Sequence, residues 1–333
     1  MSARAYHRLV LIALCLTLIV IVLGAWVRLT DAGLGCPDWP GCYGELTWPK
    51  TEQSIAEANE RWAHRPVETG KAVREMVHRY FAGALGLLIL AIAIFAWRRR
   101  REPGQPVALP FALLGLIIFQ AALGMWTVTL LLKPAIVLSH LIGGLLTFTL
   151  LSWLYWRTRP KTVQTTLPQR RLRAPVTIAL VVLIMQIMLG GWVSTNYAAL
   201  ACPDFPTCMG QWWPEQNYSE GFTIWRGIGV DYEGGVLDQP SRMAIHVAHR
   251  IGALVVIAVF GWLLWLLTRT EGMGRWAGVL GALLVTQISL GLANILAGLP
   301  LAVAVAHNGV AALLLATMVS ILFHTSRPVE RHR

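Results

Sequence analysis

Charge is what this chain has little of. Only 14% of its 333 residues are Asp, Glu, Lys or Arg, 56% are hydrophobic, and the mean hydropathy is +0.56. That composition excludes an ordinary water-soluble domain and points to a polytopic membrane protein. Negative charge is the scarcer sign, with 17 Asp and Glu against 28 Lys and Arg and a net charge of +11. The basic excess falls in short loops and tails, where it sets topology and meets anionic lipid, so no nucleic-acid partner is expected. No phosphate-binding Gly loop, Ser/His/Asp arrangement or dinucleotide fingerprint stands out. Near the N-terminus, Arg4, His7 and Arg8 precede a hydrophobic run too long for a cleaved signal's core, with no small-residue cleavage site and no Arg- and Ser-rich transit peptide. That run reads as an uncleaved first span, and a bacterial plasma membrane is favoured over an organelle.

Apolar stretches long enough to cross about 30 Å of hydrocarbon begin near Leu9, Val77, Leu109, Ala135, Thr177, Met243, Trp276 and Leu301. Eight spans give an all-α polytopic fold with both termini on one side. Arg98 to Arg101, the cluster from Arg157 and Lys161 to Arg173, the Arg269/Arg275 turn and the Arg327 to Arg333 tail fall on that side, which the positive-inside rule makes cytoplasmic. Two long loops, about Thr30 to Arg74 and Tyr197 to Arg242, carry more acid than base and lie outside.

The chain uses one unit twice. "VLGAWV" before Cys36 returns as "LGGWV" before Cys202, "CPDWPGC" as "CPDFPTC", "EMVHR" as "HVAHR", and "QAALG" as "QISLG". Cys202 lies 166 residues after Cys36, His249 171 after His78, and His307 167 after His140. Each unit has an even number of spans, so the repeat is parallel, related by an axis along the membrane normal. Two four-helix bundles side by side are expected, residues 1–160 and 161–333, with Pro160 and Pro168 stopping helix continuation in the linker.

His78, His140, His249 and His307 occupy every second span, each about six residues, or roughly 9 Å, from its outer end. Imidazole is costly in lipid without a partner. A lone one is usually bonded to a neighbouring helix, but four in repeat register suggest facing pairs, as b-type haem iron is held between helices. Zinc fits less well, because no compact three-ligand cluster accompanies them. Small residues follow each histidine, leaving room for close packing or for a flat macrocycle. His7, His64, His324 and His332 read as solvated residues of tails and loops.

The two halves differ at one telling place. Glu75 stands three residues before His78, whereas His246 stands three before His249. A carboxylate there suits proton movement or stabilisation of developing positive charge, or else a membrane-edge pair with Arg74 or Arg79. Arg79 and Arg250, directly after the histidines, are candidates for haem propionate pairing, with interfacial snorkelling as the alternative. Cys36/Cys42 and Cys202/Cys208, outside the membrane, are expected to form disulfides, as loop staples or redox groups. Cys15 reads as packing. Trp26, Trp126 and Trp192 suit an interfacial belt, and Gln120, Gln186 and Gln287, in a repeated Q-x-x-L-G, suit interhelical bonding. Trp212 and Trp213 suit a lid.

"GAWVRLTDAGLGCPDWPGC", "EMVHRYFAGALG", "LSHLIGG", "AHRIGAL" and "AHNGVAA", in that order, closely resemble the haem A synthase family of bacteria and mitochondria. The resemblance implies oxidation of the C8 methyl of haem O to a formyl group by successive hydroxylations, giving haem A for terminal oxidases. It implies that His78 and His140 hold the substrate haem with Glu75 catalytically important, and that His249 and His307 ligate a resident haem b. Cys36 and Cys42 match a pair tied to activity in the members that have it. Haem O synthase and terminal oxidase assembly are the implied partners; the residues name no electron donor or acceptor. A competing reading is a di-haem b-type electron-transfer subunit that oxidises quinol, and a third is a haem transporter or assembly factor.

Overall fold

A computed structural model describes residues 2–159 and 165–326. Its long helices are α1 (Ala3–Leu29), α3 (Thr69–Arg98), α4 (Ala108–Thr129), α5 (Pro134–Thr158), α7 (Arg173–Thr195), α9 (Gln239–Thr268), α10 (Gly274–Leu296) and α11 (Leu301–Ser326). Short α2 (Glu52–Arg61), α6 (Leu167–Arg171) and α8 (Tyr218–Gly221) lie in the connections. The eight long helices are each apolar and long enough to cross a membrane. The chain is an all-α, multi-pass membrane protein.

Two of the eight begin well before their apolar stretch. The helix of His78 starts at Thr69 rather than near Val77, and that of His249 at Gln239 rather than near Met243, so both histidines sit more than six residues from the helix start. Hydropathy marks only the apolar run, whereas a helix starts where its N–H groups find a cap. For α9 that is Asp238, whose carboxylate accepts the N–H of Ser241, with Pro240 in the first turn. Pro168 likewise starts α6 rather than stopping a helix, inside a capping box of Thr166 and Gln169. Pro160, Lys161, His332 and the Arg327 to Arg333 tail lie outside the described residues.

Helix α1 packs on α3 and α5, and α4 on α3 and α5; α7 packs on α9 and α11, and α10 on α9 and α11. The two groups meet where α1 and α5 touch α11 and α5 touches α7. Tyr6, Val10, Ile89, Leu113, Leu151 and Leu154 fill one apolar cluster, and Val176, Phe260, Leu263, Leu280 and Met318 belong to another, which also takes Leu145 and Phe148 of α5. Both clusters fill the helix halves remote from the four histidines. Between the groups, Arg28 donates to the Ser194 carbonyl and stacks over the Tyr197 ring at 4.1 Å, and the Tyr197 hydroxyl reaches Asp31 at 3.2 Å. Each of these hydrogen bonds joins residues 166 apart in sequence.

The second long loop reaches over the first group. Tyr232 N–H bonds the Leu131 carbonyl at 3.1 Å, Asp231 and Glu233 pair with Arg65, and Glu233 also pairs with Lys71. Lys133, buried at the start of α5, donates to the Gly227 carbonyl and lies 3.0 Å from the Trp225 ring centroid. Opposite charge thus holds the crossing segment down. Trp212 and Trp213 are exposed in the second long loop, and Trp192 is buried with its indole N–H on the Gly221 carbonyl rather than in an interfacial belt. His7 and His324 are not solvated tails: His7 bonds Thr158 and stacks on Tyr155, and His324 packs on Trp156. His64 lies exposed in its loop.

Candidate functional site

All four histidines face a glycine of the preceding long helix. A Cβ added to Gly24 on α1 would lie 3.2 Å from Cε1 of His78 on α3; the matching distances are 3.4 Å for Gly124 and His140, 3.1 Å for Gly190 and His249, and 3.3 Å for Gly291 and His307. A residue without Cβ lets the imidazole come this close to its neighbour without displacement. His78 lies within electrostatic range of His140, and His249 of His307. The structure therefore brings the histidines together in two pairs, α3 with α5 and α9 with α11.

The pairs suit a haem iron. Among the described residues no three His, Cys, Asp or Glu side chains gather as a metal-ion cluster, so the available donors are two imidazoles at a time. The Nδ1 atoms of His78, His140 and His307 are buried without a protein partner. Buried, unpartnered imidazole nitrogens are a donor set for a group brought in from outside.

Glu75 is 5% exposed and accepts the backbone N–H of Cys36 at 2.9 Å while pairing with Arg79. Its counterpart His246, equally buried, holds the Ala198 carbonyl at 2.9 Å. The two residues perform a similar tethering of loop to helix with different chemistry, and only Glu75 keeps a carboxylate beside its histidine pair.

Arg79 and Arg250 are expected to face carboxylates of a bound group; the structure gives each guanidinium a set of loop carbonyls. Arg79 donates to Asp38, Pro40 and Gly41. Arg250 donates to Cys202 at 2.9 Å, Asp204 at 2.7 Å and Thr207 at 2.8 Å. Each arginine clamps the short loop closed by a disulfide, Cys36–Cys42 in one case and Cys202–Cys208 in the other. The clamp sits one residue past the histidine, so the loop and the imidazole share a helix turn.

The aspartates of the two CPD strings, Asp38 and Asp204, hold the turns of the disulfide loops next to the histidine helices. Asp38 accepts the N–H groups of Tyr43 and Gly44, both at 2.7 Å, and Asp204 those of Met209 at 2.6 Å and Gly210 at 2.9 Å. Those N–H groups converge because Tyr43, Gly44, Met209 and Gly210 all have positive φ, a turn that presents successive amides to an anion. Their signal in the sequence is an Asp at the same place in both copies of the motif. Hydrogen bonds from Thr207, Gly210 and Met209 hold the Asp204 carboxyl at about 2, and burial pushes the Tyr43 phenol up to about 12.

Residues 7–319 match the family described as cytochrome oxidase assembly protein, COX15-CtaA. A protein of Shewanella oneidensis named Heme A synthase is 45% identical over 96% of this chain and 97% of its own length. Proteins of the same name from Rhizorhabdus wittichii and Halalkalibacterium halodurans are 30% and 28% identical, each over 93% of this chain and over 90% and 93% of their own lengths. With helix pairs, histidines and disulfide loops spread across the same span, the chain belongs to the COX15-CtaA family of cytochrome oxidase assembly proteins.

Proposed function

We propose that this protein is a haem A synthase, a membrane oxidoreductase that converts the C8 methyl of haem O to a formyl group by successive hydroxylations. Substrate haem lies in the N-terminal bundle, residues 1–160, between His78 and His140. In the C-terminal bundle, residues 161–333, His249 and His307 would hold a resident haem b. When bound, the haems supply the redox chemistry; the chain supplies position, a proton site and exclusion of water. The name carried by full-length relatives supports the reaction, and the clustering of Lys and Arg in the short connections supports cytoplasmic termini with both haems toward the outer face of a bacterial plasma membrane. Haem O synthase and the terminal oxidase assembly are the partners this reaction requires, upstream and downstream.

The observation that carries the assignment of halves is Glu75, buried beside Arg79 in the first unit, with His246 in the matching place of the second. A carboxylate there can take a proton from, or stabilise positive charge at, a carbon being oxidised nearby. Arg79 keeps it oriented, and the Cys36 N–H fixes its other oxygen. The apolar isoprenoid tail of haem O favours entry from lipid rather than water.

The test is production of haem A. The protein is expressed in cells that make haem O, and extracted pigments are separated by chromatography. Conversion to haem A is expected. Unchanged haem O, with both haems held and redox active, would leave a di-haem quinol-oxidising subunit as the better reading.

A further inference from the structure

Three of the four histidines are met by a glutamine from the neighbouring helix, and one is not. Gln120, Gln186 and Gln287 stand four residues before Gly124, Gly190 and Gly291, the glycines that face the imidazoles. On α1 the place four before Gly24 is held by Val20, which packs into the apolar cluster around Val10 and Ile89. Valine has neither donor nor acceptor to offer His78.

Whether a glutamine reaches the histidine's backbone carbonyl goes with the residue three places after the histidine. Gly143 follows His140 and Gly252 follows His249 in this way. A Cβ at Gly143 would stand 2.7 Å from the amide carbon of Gln120, and one at Gly252 would collide with the amide oxygen of Gln186. With glycine there, the amide crosses and donates to the histidine's own backbone carbonyl, at 2.9 Å for Gln120 and 3.0 Å for Gln186. After His307 the place is Val310, and Gln287 lies 3.2 Å from Nε2 of the ring, a ring contact that Gln186 also makes, 3.1 Å from Nδ1 of His249. After His78 it is Phe81. Both parts of the brace, the glutamine and the glycine that admits it, are therefore missing at the same site.

The other tethers do not separate the two units. Arg79 and Arg250 clamp matching loops, and Glu75 and His246 each hold one loop backbone group. Within the apolar part of the bundle the glutamine is the difference. A side chain that fixes the helix turn bearing a metal-binding imidazole reduces the freedom lost on ligation and slows release.

Resting on the haem reading above, we propose that Gln120, Gln186 and Gln287 are positioning residues that hold their histidines against a bound haem. The Val20–Phe81 pair leaves His78 as the ligand that yields to admit and release haem at the first site. A substrate has to leave after each reaction and a resident cofactor does not. The asymmetry falls on the half proposed to hold the substrate.

The test uses purified full-length protein loaded with protohaem, mixed with excess apomyoglobin, with transfer followed in the Soret band. Wild-type protein is expected to lose haem in a fast and a slow phase, the fast one missing in His78→Ala. The double variant Val20→Gln/Phe81→Gly rebuilds the brace and is expected to slow the fast phase roughly fivefold, the scale of one net hydrogen bond. Its low-spin electron paramagnetic resonance signal should move toward that of the second site. The reciprocal Gln186→Val/Gly252→Phe is expected to accelerate the slow phase. Equal release from both sites of the wild-type protein, or release unaltered in a variant that keeps its Soret band, would overturn the inference and leave the haem reading intact. A wild-type protein without a Soret band would instead overturn the haem reading itself. Where a double variant does not fold, the wild-type comparison decides.

Discussion

Glu75 accepts the backbone N–H of Cys36 at 2.9 Å while its other oxygen pairs with Arg79, one turn further along the same helix. One carboxylate thus links the first disulfide loop to the helix of His78. Glu75→Ala is expected to lower haem A formation by at least about a hundredfold, the range for loss of an acid–base group. The haem at His249 and His307 should remain visible by absorbance. Loss of both haems in this variant would make Glu75 a structural residue and remove it from the chemistry.

Arg250→Ala removes three hydrogen bonds to the carbonyls of Cys202, Asp204 and Thr207. Leaving such acceptors half-buried costs about 2–4 kcal/mol. The Cys202–Cys208 bridge is expected to be reduced faster by dithiothreitol than in wild type, with Arg250→Lys recovering only part of the protection because an ammonium lacks the guanidinium's fork. A reduction rate the same in all three proteins would show that the clamp does not hold the loop.

Gly190→Ala puts a methyl 3.1 Å from Cε1 of His249. Either α7 or the imidazole must shift, and a displacement of a few tenths of an ångström is enough to spoil ligation geometry. The second-site Soret absorbance is expected to fall while the first-site haem is retained. Full haem content at both sites in this variant would show that the helix contact is slack.

Asp204 provides a dependence on pH. Thr207, Gly210 and Met209 all donate to it and hold its carboxyl at about 2, against an ordinary 3.8. A value lowered by folding contributes stability that is complete above the unfolded value and is lost as pH falls through the folded one. Amide protection at Met209 and Gly210, corrected for intrinsic exchange, is therefore expected to persist at pH 4 and to disappear toward pH 2. Asp204→Asn should abolish that transition; an unchanged profile in the variant would assign it to another group.

Much of the fold was legible because membrane helices announce themselves by length and hydropathy, and all eight appear where apolar runs place them. His78, His140, His249 and His307 were legible as pairs because alternate helices of a bundle must face one another. The starts of α3 and α9 were not, since their first turns are polar and hydropathy marks only the apolar run that follows. The embedding of His7 and His324 was missed for a related reason: position near a chain end says nothing of what packs against a side chain.

By itself the sequence determined that this is a polytopic helical protein with two pairs of membrane histidines and two loops closed by cysteines. These features follow from composition, periodicity and spacing, which are properties of neighbouring residues. Only the tertiary structure decided that Arg79 and Arg250 hold loop carbonyls, that Asp231 and Glu233 tie the second loop to Arg65, and that Gln120 and Gln186 reach a histidine backbone carbonyl while Gln186 and Gln287 reach a ring. Partners of that kind lie some 20 to 168 residues apart, and which donor meets which acceptor is set by how whole helices pack, down to whether a glycine or a phenylalanine occupies one position on the facing turn.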